Sequence, residues 1–99
     1  MGYEYVCNAR LSTGESRELA TALERLGYIQ LANMDPRRIR LRLGDAAPRE
    51  GWDEDFEVIV EDAVTVVAHG GTGTDRARLL HAVASFLAGR GYDSEFAEE

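Results

Sequence analysis

The fold of this chain is decided by residues 56–80, FEVIVEDAVTVVAHGGTGTDRARLL. Apolar residues alternate along the first half of the stretch, and Asp62 and Ala63 interrupt the alternation, which predicts two strands joined by a tight hairpin. Glycines then follow His69, and apolar residues recur at helical spacing from Leu79. The stretch therefore predicts an antiparallel hairpin that turns sharply into an amphipathic helix.

The flanking sequence supplies the other elements of the domain. In residues 12–27, Leu19, Leu23 and Leu26 stand at helical spacing, and we expect them to form a buried stripe. The predicted helices lie at 12–27 and 72–91. The predicted strands lie at 3–11, 28–34 and 38–43, with two more within 56–70 and one within 92–99. Residues 28–34 fit either a strand or an extended link. The order β-α-β-β-β-β-α-β predicts an α+β two-layer sandwich, in which a mainly antiparallel sheet of about five strands carries two helices on one face.

Helix boundaries are signalled by capping residues. Ser12 with Glu15, and Thr72 with Asp75, fit capping boxes, in which each partner satisfies an amide of the other at the start of a helix. Gly27 fits the left-handed position that follows a helix end. These signals predict where both helices begin and where the first one stops.

Composition bounds the class of protein. The chain of 99 residues predicts a single domain over residues 1–99, and its 18 acids against 11 bases give a net charge of −7. All the bases are arginine, a bias typical of a GC-rich, bacterial genome. An acidic surface repels nucleic acid and anionic membranes, so a basic protein is the favoured partner. No signal peptide and no apolar run of about 20 residues is found, so we expect a cytoplasmic protein.

The charged residues are segregated along the chain. Residues 37–49 hold five arginines, and residues 50–62 hold seven acids and no base. If the strands at 38–43 and 56–61 pair, their opposite charges support the sheet. The acids around the tryptophan remain, and an aromatic side chain ringed by carboxylates is typical of a contact with a basic partner. The predicted partner-binding residues are Trp52, Asp53, Glu54, Asp55, Glu57 and Glu61.

Two other interpretations of this acidic segment stay open. Asp53, Asp55 and Glu57 could bind Ca²⁺, although the full loop of an EF-hand is missing. The segment also fits a solvated acidic loop with Trp52 tucked against the edge of the core.

The glycine-rich turn at residues 70–74 is a candidate anion site. Free amides at a helix start attract phosphate, which points to Gly71, Thr72, Gly73 and Thr74. The GGTGT motif resembles part of the glycine-rich signatures of tubulin-like GTPases, and of diacylglycerol and NAD kinases, which have Asp where Thr72 stands. The chain contains no lysine to complete a phosphate site. The alternative is an architectural turn, which glycines allow without steric strain.

The remaining reactive side chains point weakly to catalysis. Cys7 alternates with apolar residues, as a small core residue does. His69 and His81 have no Cys, Asp or His at ligand spacing, so we expect neither a metal site nor a cofactor. A general base formed by His69 with Asp75 stays open, but the sequence favours a binding protein over an enzyme.

In overall character the chain resembles the small immunity proteins of bacterial polymorphic toxin systems, including those of contact-dependent inhibition and type VI effectors. The resemblance lies in length, acidity, the α+β pattern, and the stretch DEDFEVIVEDAVTVVAHGG before a capped helix. It implies one-to-one binding that blocks the active site of a basic toxin, with carboxylates standing in for phosphate charge. The alternative is a ligand-sensing or regulatory module, which could form a homodimer through sheet edges and bind an anion at the glycine-rich turn.

Overall fold

The computed structural model describes residues 3–32, 35–43 and 54–99. In this part of the chain an antiparallel sheet in the order β2-β3-β4-β5-β1-β6 carries two helices. The elements are β1 Tyr3–Cys7, α1 Thr13–Arg25, β2 Ile29–Leu31, β3 Arg38–Arg42, β4 Phe56–Val60, β5 Val64–Ala68, α2 Gly73–Gly89 and β6 Ala97–Glu98. The predicted α+β class, the two helices and the order of elements are confirmed, and the described sheet has six strands where about five were expected.

The hairpin formed by β4 and β5 lies at the centre of this sheet. Val58 stands opposite Val66 on β5 and opposite Ile39 on β3, so β4 is hydrogen-bonded on both sides. Its apolar residues alternate as the sequence predicted, and Phe56 and Val60 face the core with Val58. The predicted turn between the two strands is confirmed.

Both helices begin at the predicted capping boxes. Ser12 accepts from the Glu15 amide while the Glu15 carboxylate accepts from the Ser12 amide. Thr72 and Asp75 exchange the same two bonds at the start of α2. Each box satisfies amides that a helix leaves unpaired at its first turn.

A single cluster of buried side chains joins the two helices to the inner face of the sheet. Leu19 and Leu23 enter it from α1, and Leu79, Val83 and Leu87 enter it from α2. The opposite sheet face carries Val6, Ile59 and Val67 together with charged and polar side chains. The cluster therefore packs both helices on one face, as the sequence predicted.

Two local predictions are corrected by the structure. Leu26 was expected in the buried stripe of α1, but the helix ends at Arg25, and the Leu26 side chain is 64% exposed. The last strand, expected within residues 92–99 from the alternation of Tyr92, Ser94 and Phe96, is confined to Ala97–Glu98, and the side chains of Tyr92 and Phe96 pack on the core from irregular backbone. Side-chain burial produced the alternation in the tail without strand pairing.

The turn from β5 into α2 requires glycine at one position. Gly71 has a φ angle of +79°, in the region that side chains rarely adopt. A Cβ atom there would lie 3.1 Å from the Phe56 ring and 3.2 Å from the Asp75 Cβ. The turn therefore holds the backbone directly against the core and against the cap of α2.

Substitution of this glycine should destabilise the fold. We expect Gly71→Ala to lower the free energy of unfolding by about 1–3 kcal/mol, because backbone strain adds to crowding by Phe56. Urea denaturation measures the change. Gly89→Ala is the matched control, since a Cβ there meets nothing within 4 Å, and it should leave stability unchanged or slightly raised. Equal stability of the two variants would contradict the role of Gly71.

Candidate functional site

Glu54 is an internal ion-pair partner in the structure. Its side chain is 6% exposed, and its Oε2 atom accepts from Arg40 Nη2 at 2.8 Å and from Nε at 3.2 Å. Arg40 leaves β3 on the face opposite the helices, because Ile39 and Leu41 on either side enter the core. A guanidinium that donates two hydrogen bonds to one carboxylate fixes that carboxylate firmly.

The protonation of Glu54 depends on this arginine. Burial by itself raises the pKa of the Glu54 carboxyl, but hydrogen bonds, chiefly from Arg40, together with the charge of Arg40 lower it by more. The pKa therefore lies below its usual range, and Glu54 stays ionised at neutral pH.

Glu57 forms the second ion pair of this sheet face. It stands opposite Arg40 in the register of β3 and β4, and its Oε2 atom lies 3.4 Å from Nη1 of Arg38. The Glu57 side chain is 12% exposed. The two charged strands pair antiparallel, the arrangement in which their opposite charges support the sheet, and Arg38 and Arg40 meet carboxylates.

Asp55, directly before β4, forms hydrogen bonds toward both neighbouring strands. Its amide donates to the carbonyl of Leu41 at 2.8 Å, and its own carbonyl accepts from the amides of His69 and Gly70. The Asp55 carboxylate accepts from the amide of Leu43 at 2.8 Å. This residue therefore extends the pairing of β4 by one position toward both neighbouring strands.

The predicted partner-binding residues are thus divided by the structure. Glu54, Asp55 and Glu57 are buried and engaged with β3 and β5, whereas Glu61 is exposed at the turn between β4 and β5. Trp52 and Asp53 lie outside the described residues. Their assignment to partner binding stays a prediction, as does calcium binding by this segment.

A second set of acids gathers along the border of the sheet formed by β1 and β6. We call it the acidic rim, and every member is exposed. The acidic rim consists of Glu4, Glu61, Asp62, Asp93, Glu95, Glu98 and Glu99.

Strand pairing brings the acidic rim together. The β4–β5 turn lies at the end of β1, because Cys7 stands opposite Val64. The Cys7 thiol donates to the carbonyl of Asp93 at 3.1 Å, which brings the tail to the same end. At the other end of β1 the amide of Glu99 donates to the carbonyl of Glu4 at 2.9 Å. The seven acids are thereby brought to the two ends of β1 or alongside it, with Glu4 and Glu98 on opposite faces of the sheet.

Few basic groups neutralise the acidic rim. Arg10 Nη2 lies 4.0 Å from Asp62 Oδ1, but both side chains are more than three-quarters exposed, so the pair is weak. Within the described chain, no other ion pair to a rim carboxylate is present. Of these acids only Glu61 was predicted to bind a partner, because the proximity of the others depends on β1 pairing with both β5 and β6.

The candidate anion site at the glycine-rich turn already contains a carboxylate. Asp75 Oδ2 accepts from the Thr72 amide at 2.8 Å and from the Thr72 hydroxyl at 3.0 Å. These hydrogen bonds lower the pKa of Asp75 and keep its negative charge at the helix start. Anion binding by Gly71, Thr72, Gly73 and Thr74 stays a prediction, and an anion there would meet this charge.

The other reactive side chains are separated in the fold. Burial, with Asp93 and Glu95 nearby, raises the pKa of the Cys7 thiol, which favours its protonated, unreactive form. His69 follows β5, and His81 is exposed on α2. Among the described residues, no three His, Cys, Asp or Glu side chains are grouped to hold a metal ion.

Comparison with protein-family models, curated proteins and solved structures finds no match to this chain. In the part of the chain that the structure describes, neither helix has the length and apolar character needed to cross a membrane.

The Arg40–Glu54 pair gives a pH-dependent prediction. We expect Arg40→Gln to destabilise the protein by about 2 kcal/mol at neutral pH, because a buried carboxylate loses its cation. The folded-state pKa of Glu54 is lowered, so its contribution is present above the unfolded pKa of about 4.3 and is lost as pH falls through the folded value. The difference between variant and wild type should therefore shrink in acid, as measured by urea denaturation at neutral and acidic pH.

Arg17→Gln, at an exposed position on α1, is the control, and it should change stability by less than about 0.5 kcal/mol at either pH. A loss in Arg40→Gln that is the same at both pH values would show that the charge of Glu54 is not what the arginine stabilises.

Proposed function

We propose that this chain is a binding protein that neutralises a basic protein partner through its acidic rim. The partner class is the one that the resemblance to immunity proteins implies, a toxin with a positively charged active site. This contact surface shares Glu61 with the residues predicted from the sequence, but it lies mainly along β1 and β6 and not in the segment around Trp52.

The distribution of charge among the described residues is the observation that carries this proposal. Arg38 and Arg40 are matched by buried carboxylates, and Arg90 pairs with Glu18 between the helices. The charges of these pairs cancel within the fold. The rim carboxylates face solvent instead, and among the described residues Arg10 is the one base that forms an ion pair with them. Among the described residues, the acidic rim therefore gathers seven carboxylates around one ion-paired base.

Such a surface suits association with a cationic protein. Clustered charges of one sign steer an oppositely charged partner and raise the association rate, an effect that salt screens. Tyr3, which is 46% exposed, lies on the other face of β1 from Glu4, and the Arg76 guanidinium lies 4.1 Å from the centre of its ring. Long-range attraction by the rim carboxylates is therefore the physical basis for association.

The proposal is tested with charge reversals of equal size on two surfaces. The partner is first isolated with the chain from the cells that produce it, and its affinity is then measured with both proteins purified. The rim variant Glu95→Lys/Glu98→Lys should bind a basic partner about tenfold more weakly at low salt, because attraction becomes repulsion. The matched variant Glu18→Lys/Glu24→Lys, with both changes on α1, should bind like wild type.

The salt dependence separates a direct role from a folding defect. Added salt should weaken binding by the wild type and narrow its difference from the rim variant. Thermal unfolding checks that both double variants are folded. Equal affinity of the rim and α1 variants would exclude the rim, and a partner with an acidic surface would exclude the proposed function. Asp53→Lys, measured beside them, reports whether the loop predicted from the sequence also contributes.

A further inference from the structure

A groove of about 700 Å³ opens between the end of α1 and the first half of α2. We call it the helix groove. Its volume is in the range that holds organic molecules of metabolite size. The residues that matter for its chemistry are Leu26, Tyr28, Leu43, Arg78, His81 and Ala82.

One wall of the helix groove is a fixed apolar surface. The Tyr28 ring meets Phe56 edge to face, with ring centres 6.4 Å apart and an interplanar angle of 84°, so the core holds it in place. Beside it Leu26 is 64% exposed, the most exposed of the large apolar side chains in the described part of the chain. A ligand that covers both side chains would remove apolar surface from water.

The opposite wall supplies charge. Arg78 is exposed on α2, and it has no ion pair with any residue that the structure describes. Its charge acts on Tyr28 and on Asp75, so all three groups border the same space. Asp75 also lines the helix groove and stays ionised, but its Oδ2 atom accepts from the amide and the hydroxyl of Thr72. The Arg78 guanidinium is therefore the charged group of the groove that is left to donate hydrogen bonds to a ligand.

We propose that the helix groove binds a small amphipathic organic anion, with its apolar body against Leu26 and Tyr28 and its carboxylate at Arg78. A guanidinium takes a carboxylate in a charge-assisted, bidentate arrangement. Burial and the nearby Asp75 raise the pKa of Tyr28, so its hydroxyl stays protonated and available as a donor.

The helix groove is distant from the acidic rim in the topology of the sheet. Tyr28 directly precedes β2, which forms one edge of the sheet, whereas the acidic rim lies along β1 and β6, at the other edge. The two proposals rest on separate residues. A chain that failed to bind a basic protein could still bind an organic anion, and each experiment tests its own surface.

Three probes with the same apolar body distinguish the chemistry: 4-phenylbutyrate, 4-phenylbutan-1-ol and 4-phenylbutylamine. Binding to the full chain is followed by calorimetry and by backbone amide shifts. We expect saturable binding of the carboxylate at millimolar or lower concentration, about tenfold tighter than that of the alcohol or the amine. The shifts should centre on residues that line the helix groove.

Variants then test which residue contacts the carboxylate of the ligand and which contacts its apolar body. Arg78→Gln should weaken binding of 4-phenylbutyrate about tenfold and leave the alcohol unaffected, whereas the control Arg17→Gln should change neither. Leu26→Ser, at an exposed position that the fold tolerates, should weaken all three probes.

Binding of the amine or alcohol as tight as that of the carboxylate would overturn the proposal, as would an unchanged affinity in Arg78→Gln. The absence of saturable binding by 4-phenylbutyrate would also overturn it. The rim variant Glu95→Lys/Glu98→Lys should keep full affinity for 4-phenylbutyrate, so a failure of this proposal can be told apart from a failure of the proposed function.

Discussion

The register of β4 between β3 and β5 is the constraint on which the rest of this structure depends. With Val58 opposite Ile39 and Val66, the apolar residues of three strands lie on the same face and meet both helices. A shift of one residue would turn these valines outward and carry Glu57 into the core. Asp55 opposes such a shift, because its backbone and carboxylate bond to residues that follow or end both neighbouring strands.

The same register decides where the charge of the protein is expressed. It places Arg38 and Arg40 on the outer face within reach of Glu57 and Glu54, and of these two pairs the Arg40–Glu54 pair lies in the more buried surroundings. An ion pair in such surroundings is screened weakly, and separating it would leave a buried charge without a partner. The acids that remain available to other molecules are those outside β3 and β4. The acidic rim is therefore a consequence of internal pairing as much as of composition.

Local patterns in the sequence were sufficient for the elements and their caps. The alternation around Val58 predicted the hairpin, and the Thr72–Asp75 pair predicted the start of α2, because both signals act within a few residues. The ion pair of Glu54, the position of Leu26 and the proximity of Glu4 to Glu99 were not predictable in this way. Each depends on which strands become neighbours or on where a helix stops, and those outcomes are set by packing across the whole domain.

The tail shows how an irregular segment can become a defined surface. After α2 the amide of Tyr92 donates to the carbonyl of Leu87, and its hydroxyl donates to Glu15 at 2.8 Å, which fixes the tail to both helices. The thiol of Cys7 then donates a hydrogen bond to the carbonyl of Asp93, and the Phe96 ring packs on the core. Anchors at this spacing leave the intervening carboxylates in solvent while their backbone is held. Carboxylates on anchored backbone lose less conformational entropy on binding than the same charges on a free tail would, which favours the role proposed for the acidic rim.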